Sequence, residues 1–153
     1  MKKRIHFDLL RSEHGASLLE TAAVVPLFLL LLFGAVDVGR ALYLANEIEG
    51  AAHAAVMYGT QNPTDTTGMK TVAEDAAPDV PGLSVPTPTS GCECPDGTDY
   101  GASCPATSSC STGAPVYRVN VTVSGTFTPI FPWPKVPSIT TFSSSAAMRS
   151  AGS

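Results

Sequence analysis

The chain has 153 residues; 14% are charged, against ~25% in an ordinary soluble globular protein, and 44% are hydrophobic. With about 70 N-terminal residues committed to a long apolar region and its continuation, only one small domain fits. The net charge of −4 is uneven: Lys2, Lys3, Arg4 and Arg11 against Asp8 and Glu13 leave residues 1–15 at +2 and the rest at −6, a balance that gives no support to nucleic-acid binding.

Met1–Gly15 is short, basic and polar. After Glu20 no charge occurs until Asp37, and Ala22–Val36 is built on Leu27, Phe28 and the run Leu29–Leu32. As a helix this segment is about 22 Å long at ~1.5 Å per residue, short of a ~30 Å hydrocarbon core. Starting the span near Ser17 closes the gap but brings Glu20 to the hydrocarbon edge. A carboxylate at mid-bilayer costs on the order of 2.5–3.5 kcal/mol, so one near the boundary needs a partner or a reason. The basic flank predicts a cytoplasmic N-terminus with the acidic bulk outside. A removed secretory signal is the competing reading, with Gly39-Arg40-Ala41 as a formal small-x-small site. Asp37 and Arg40 crowd that site, and a helical pattern runs straight through it.

Past the span, Ala41, Leu42, Ala45, Ile48, Ala52, Ala55, Val56 and Gly59 recur at offsets of three and four. Arg40, Asn46, Glu47, Glu49 and His53 fill the other faces, and His53 reads as a surface histidine. The pattern predicts one helix from about Ser17 to about Tyr58, roughly 60 Å long, kinked at Pro26. Its narrow alanine-rich stripe has two destinations, this protein's own sheet or a partner's surface.

Gln61–Asp65, with Pro63, ends the helix. Met69, Val72, Ala73, Ala76 and Ala77 predict a short amphipathic helix with Thr67 as N-cap and Pro78 as its stop. Leu83 and Val85 mark a short strand among three prolines. The four cysteines, Cys92, Cys94, Cys104 and Cys110, all lie in one Ser/Thr/Gly/Pro-rich segment. An even count in a small extracytoplasmic domain favours two disulfides, and a direct Cys92–Cys94 bond would strain a very small ring, which leaves the two crosswise pairings. Four thiolates also suit zinc, but these spacings are not paired C-x2-C knuckles and no histidine is near. Pro95-Asp96-Gly97-Thr98-Asp99 is turn chemistry; its carboxylates do not follow the EF-hand spacing for calcium.

The clearest strand is Tyr117–Phe127, where Tyr117, Val119, Val121, Val123 and Phe127 alternate with polar residues. Gly125 reads as the mark of a bulge. Asn120-Val121-Thr122 matches a glycosylation acceptor but falls inside the strand, where the match reads as chance. Pro129–Ser138 is a stiff connection that exposes Ile130, Phe131 and Trp133 unless they fold back. Ile139–Met148 reads as a second strand, with Phe142, Ala146 and Met148 on one side, antiparallel to the first. The fold class is therefore α+β: a long N-terminal transmembrane helix continues outside the membrane and packs on a small antiparallel sheet in a disulfide-braced extracytoplasmic domain. Its predicted organisation is 1–15 basic cytoplasmic leader, 16–60 transmembrane and extended helix, 61–153 small extracytoplasmic α+β domain.

These residues carry a resemblance. Gly15-Ala16-Ser17-Leu18-Leu19-Glu20 before the apolar span is similar to the processing site of type IV prepilins. The wider set (Glu20, Pro26 in a leucine-rich run, Gly34, Asp37-x-Gly39-Arg40 and Asn46, then an alanine-rich stretch) resembles the TadE-like pseudopilins of the tight-adherence, Flp-type pilus system. The C-x-C with two further cysteines, the Tyr-x-Val-x-Val-x-Val strand and the Pro-rich connection are also similar, so the likeness covers most of residues 12–149. Thr21 departs from it, since many relatives have an aromatic there. The resemblance implies cleavage between Gly15 and Ala16 by a prepilin-type peptidase, a subunit held in the bacterial inner membrane with its C-terminal domain periplasmic or extracellular, and pilin-like partners and assembly machinery around it. Cutting there removes the basic tail and exposes an α-amine on Ala16, four residues from Glu20 on one helical face. In lipid, that amine or a neighbouring subunit's offsets the burial cost of the acid and sets register. The alternative for Glu20 is solvation at the headgroup level.

A non-assembling, single-span adhesin or ligand-binding domain would use the same span and disulfides without needing Glu20 or proteolysis. An enzyme is not expected: beyond His53 there is no histidine, and neither a Gly-x-Ser-x-Gly motif nor a phosphate loop occurs. No cofactor, metal or nucleic-acid partner is expected.

Overall fold

The computed structural model describes residues 13–101, 110–111 and 113–150, with side chains from Ser17 onward except that of Tyr100. Most of the basic leader and Cys104 lie outside the described residues. The chain divides into two compact units, Met1–Gly39 and Arg40–Ser153.

Helix α1 is Glu13–Gln61 and includes Pro26. It is longer at both ends than the apolar pattern predicts, because nothing interrupts it before Asn62-Pro63. The amide of Asn62 donates to Tyr58 O (3.0 Å) and closes the last turn. Helix α2 is Thr66–Ala76. Its N-cap is Asp65 and not Thr67: the Asp65 carboxylate accepts from Gly68 N–H at 2.8 Å, a shorter and charge-assisted version of the cap that Thr67 was expected to supply.

Four strands follow, β1 Thr89–Glu93, β2 Asp99–Gly101, β3 Val116–Phe127 and β4 Thr140–Ser150, in one sheet of order β2-β1-β3-β4. The long pair, β3 with β4, is antiparallel and in unbroken register from Tyr117↔Ser150 to Phe127↔Thr140. Alternation along β3 buries Val119, Val121 and Val123 on one face, as the sequence pattern requires. Leu83–Val85 contributes one isolated bridge, Ser84 to Ser124, in place of a strand. The prolines that flank it leave too few amides for a ladder.

Among the described residues, all of the buried hydrophobic core falls within Arg40–Ser153. Leu44, Ile48, Ala51, Ala52, Ala55 and Val56 of α1 meet Met69 and Ala73 of α2 and the three β3 valines. The alanine-rich stripe is thus spent on this protein's own sheet. Leu42, expected within the stripe, is exposed, because the buried face is centred on Leu44, two residues and some 200° further round the helix.

Small residues let helix and sheet close up. A Cβ on Gly59 would lie 2.7 Å from Val119 Cγ1. One on Gly125 would collide with Val80 Cγ1 and lie 3.1 Å from Ile48 Cδ1. Gly125 therefore marks a close approach and not the expected bulge; its register with Phe142 is regular. The two glycines also fix direction. The start of β3 lies at the C-terminal end of α1 and its finish lies near Ile48, so strand and helix run antiparallel.

Candidate functional site

In the N-terminal unit the described side chains between Thr21 and Asp37 are all apolar, and the helix has no polar face there. Leu18, Leu19, Val24, Val25, Leu27, Phe28, the four leucines 29–32, Phe33, Val36 and Val38 are all exposed, around the full circumference. A helix hydrophobic all round belongs in lipid or in the middle of a larger assembly. Residues from Ser17 onward are long and apolar enough to cross a membrane by length and composition.

Glu20 is exposed on this helix, in the turn that precedes the apolar run. The neighbouring Thr21 hydroxyl donates back to Ser17 O at 2.9 Å, which satisfies a polar group that lipid would otherwise strand. Pro26 has no amide to give to the carbonyl four residues earlier, yet the helix continues through it. The bond between Gly15 and Ala16 falls in the first turn of α1; the side chains there lie outside the described residues.

The second unit has its own features. Cys94 is bonded to Cys110, with a Cα–Cα separation of 5.7 Å. Cys92 is also disulfide-bonded. The Cys94–Cys110 bond belongs to one of the two crosswise pairings. It staples the β1–β2 hairpin to the residues that lead into β3. Within that hairpin the turn chemistry expected at 95–99 is present: Gly97 N–H donates to Cys94 O (2.9 Å) and Cys94 N–H to Thr98 O (2.9 Å). The carboxylate of Asp96 accepts from Thr98 N–H and from the Ser111 hydroxyl, both at 3.0 Å, and these bonds hold its pKa below the ordinary carboxylate value. Its oxygens are engaged by Thr98 within the turn and by Ser111 beyond it, and among the described residues no group of three metal-ligating side chains occurs.

The sequence reading missed Glu93. Its side chain is 10% exposed and ion-paired with Arg149 and, at 3.7 Å, with Arg118. Those two arginines stand directly opposite each other across the β3–β4 ladder, a repulsive arrangement alone. The Glu93 carboxylate, arriving from β1, turns it into a three-stranded charge clamp. The one available signal was an acid set directly between two cysteines.

At the other end of the sheet, the Arg40 guanidinium lies 5.6 Å from the ring centroid of Phe127. Arg40, Tyr43 and Glu47 there line a shallow groove with Asp79, Thr126 and Phe127. Its walls are mixed in polarity and carry four titratable side chains, Arg40, Tyr43, Glu47 and Asp79.

An apolar N-terminal helix leading into a small disulfide-bonded α+β unit is an architecture consistent with a single-pass membrane anchor. Residues 15–57 match the family model described as TadE-like protein, which bears out the resemblance drawn from Glu20, Pro26 and the Asp37–Asn46 set. No curated protein and no solved structure matches the chain.

Proposed function

We propose that this chain is a structural subunit, a TadE-like pseudopilin that takes part in building a Tad/Flp-type pilus or a related secretion apparatus. The observation that carries the reading is the family match at residues 15–57, which begins at Gly15 and takes in both Glu20 and the apolar helix. In this reading residues 1–15 are a cytoplasmic leader removed by a prepilin-type peptidase. Residues 16–60 are the spanning and extended helix, and residues 61–153 are the extracytoplasmic domain. The protein sits in the bacterial inner membrane among lipid, pilin-like subunits and the assembly machinery.

Glu20 and Pro26 are its assembly residues. Glu20 pairs with the new α-amine of Ala16, its own or a neighbour's, and so converts a costly acid in lipid into a register mark between helices. Lateral contact between such helices proceeds by close packing and polar pairing, since lipid supplies no hydrophobic drive.

Mass spectrometry of protein purified from membranes tests the leader: a chain that begins at Ala16 is expected, and one retaining Met1 counts against processing. A Glu20→Ala strain is expected to make the protein but lose surface piliation or secretion. Full function in that strain would favour a non-assembling anchored adhesin instead.

A further inference from the structure

We infer that the β3–β4 connection, Thr128–Ile139, rests in the headgroup layer of the membrane that the apolar part of α1 crosses; this builds on the spanning reading above. Its position comes first. Phe127, the last residue of β3, lies under Arg40, so the connection leaves the sheet beside Arg40. Arg40 follows Val36, where the apolar run ends, by only four residues, a chain length of at most about 14 Å. The interfacial layer on each side of a bilayer is about 5–8 Å deep. A membrane crossed by the apolar run therefore keeps Arg40, and with it the start of the connection, within reach of that layer.

Composition agrees with position. Ile130, Phe131, Val136 and Ile139 are 61%, 45%, 49% and 61% exposed within a single connection. Phe131 and Trp133 stand side by side with ring centroids 6.1 Å apart. Tryptophan beside apolar residues, with a lysine able to reach phosphate, is the residue set that settles at a lipid–water boundary. Lys135 supplies the cation, held in a left-handed backbone conformation (φ 69°) just before Val136, whose N–H closes a turn onto Trp133 O.

The four prolines suit the same place. Pro129, Pro132, Pro134 and Pro137 have no amide hydrogen, so a third of this connection's backbone donors are absent. Irregular backbone at the hydrocarbon edge is costly through its unmet donors, and each proline removes one.

Trp133 is the one tryptophan in the chain, which makes the test direct. The full-length protein is reconstituted in vesicles of phosphatidylethanolamine and phosphatidylglycerol and floated on a density gradient. Its fluorescence is then read with shallow-brominated lipid and, separately, with aqueous iodide. Expected are blue-shifted emission, at least about twofold quenching by the brominated lipid, and weak quenching by iodide. An Ile130→Ser/Phe131→Ser variant should float equally well, yet lose the lipid quenching and gain the iodide quenching. Protein that floats but shows no lipid quenching overturns the inference while leaving the spanning helix intact. In that case, protection from iodide would assign the connection to a protein partner, and exposure to iodide would assign it to water. Failure to float removes the spanning reading, and the inference falls with it.

Discussion

Asp65 shows how much one side chain arranges. Its carboxylate caps α2 through Gly68 N–H and accepts the Tyr58 hydroxyl at 2.7 Å, so it ties the last turn of α1 to the first of α2. The Gly68 bond, then the Tyr58 bond, lower its pKa from the ordinary 3.8. A depressed carboxylate stabilises the fold fully above its unfolded pKa, and that contribution is lost as pH falls through the lower, folded value. Melting temperatures of wild type and Asp65→Ala are therefore expected to differ by a constant amount from about pH 5 to 7 and to converge towards pH 3. A gap that did not close in acid would mean that the carboxylate's charge contributes nothing. Tyr58 moves the opposite way, its hydroxyl pKa raised chiefly by the same bond.

Among the elements, those written as strong periods were legible. The unbroken apolar run, the three-and-four spacing past Arg40 and the two-residue alternation of Tyr117–Phe127 each predict the element that forms. The β1–β2 hairpin was not, because Thr89–Glu93 has no large apolar residue to show which face is inward. Its buried positions are taken by Cys92, Glu93 and, just beyond, Cys94. Such a strand owes its place to cross-links and ion pairs more than to burial. Closing a loop of 16 residues, the Cys94–Cys110 bond is worth roughly 3 kcal/mol on chain-entropy grounds. A Cys94→Ser/Cys110→Ser protein is thus expected to melt at lower temperature, with hydrogen exchange rising first in Thr89–Gly101 while the β3–β4 core stays protected. Uniform loss of protection would show the hairpin to be part of one cooperative unit.

Taken whole, the molecule separates its tasks along the chain. Every buried hydrophobic side chain described belongs to Arg40–Ser153, and the exposed leucines, Leu42 apart, belong to the residues before it. A chain of residues 40–153 is accordingly expected to be soluble without detergent and to keep Cys94–Cys110; circular dichroism and mass analysis under non-reducing conditions measure both. Aggregation would show that the core depends on the N-terminal unit. The candidate assembly site divided in the same way. Glu20, Pro26 and the apolar run were visible because a long run without charge stands out in a sequence and marks the acid at its edge. The Glu93 clamp was invisible because its partners are 25 and 56 positions away and only strand register unites them.

The notches at Gly59 and Gly125 have a mechanical result. Ile48 to Gly59 is about 16 Å of helix, and Val119 to Gly125 about 20 Å of strand, so the two rods are seated against each other over nearly equal lengths. Tension drawn along the helix meets the sheet as sliding, with the interlocked contacts strained together, and not as peeling, where they would give way one by one.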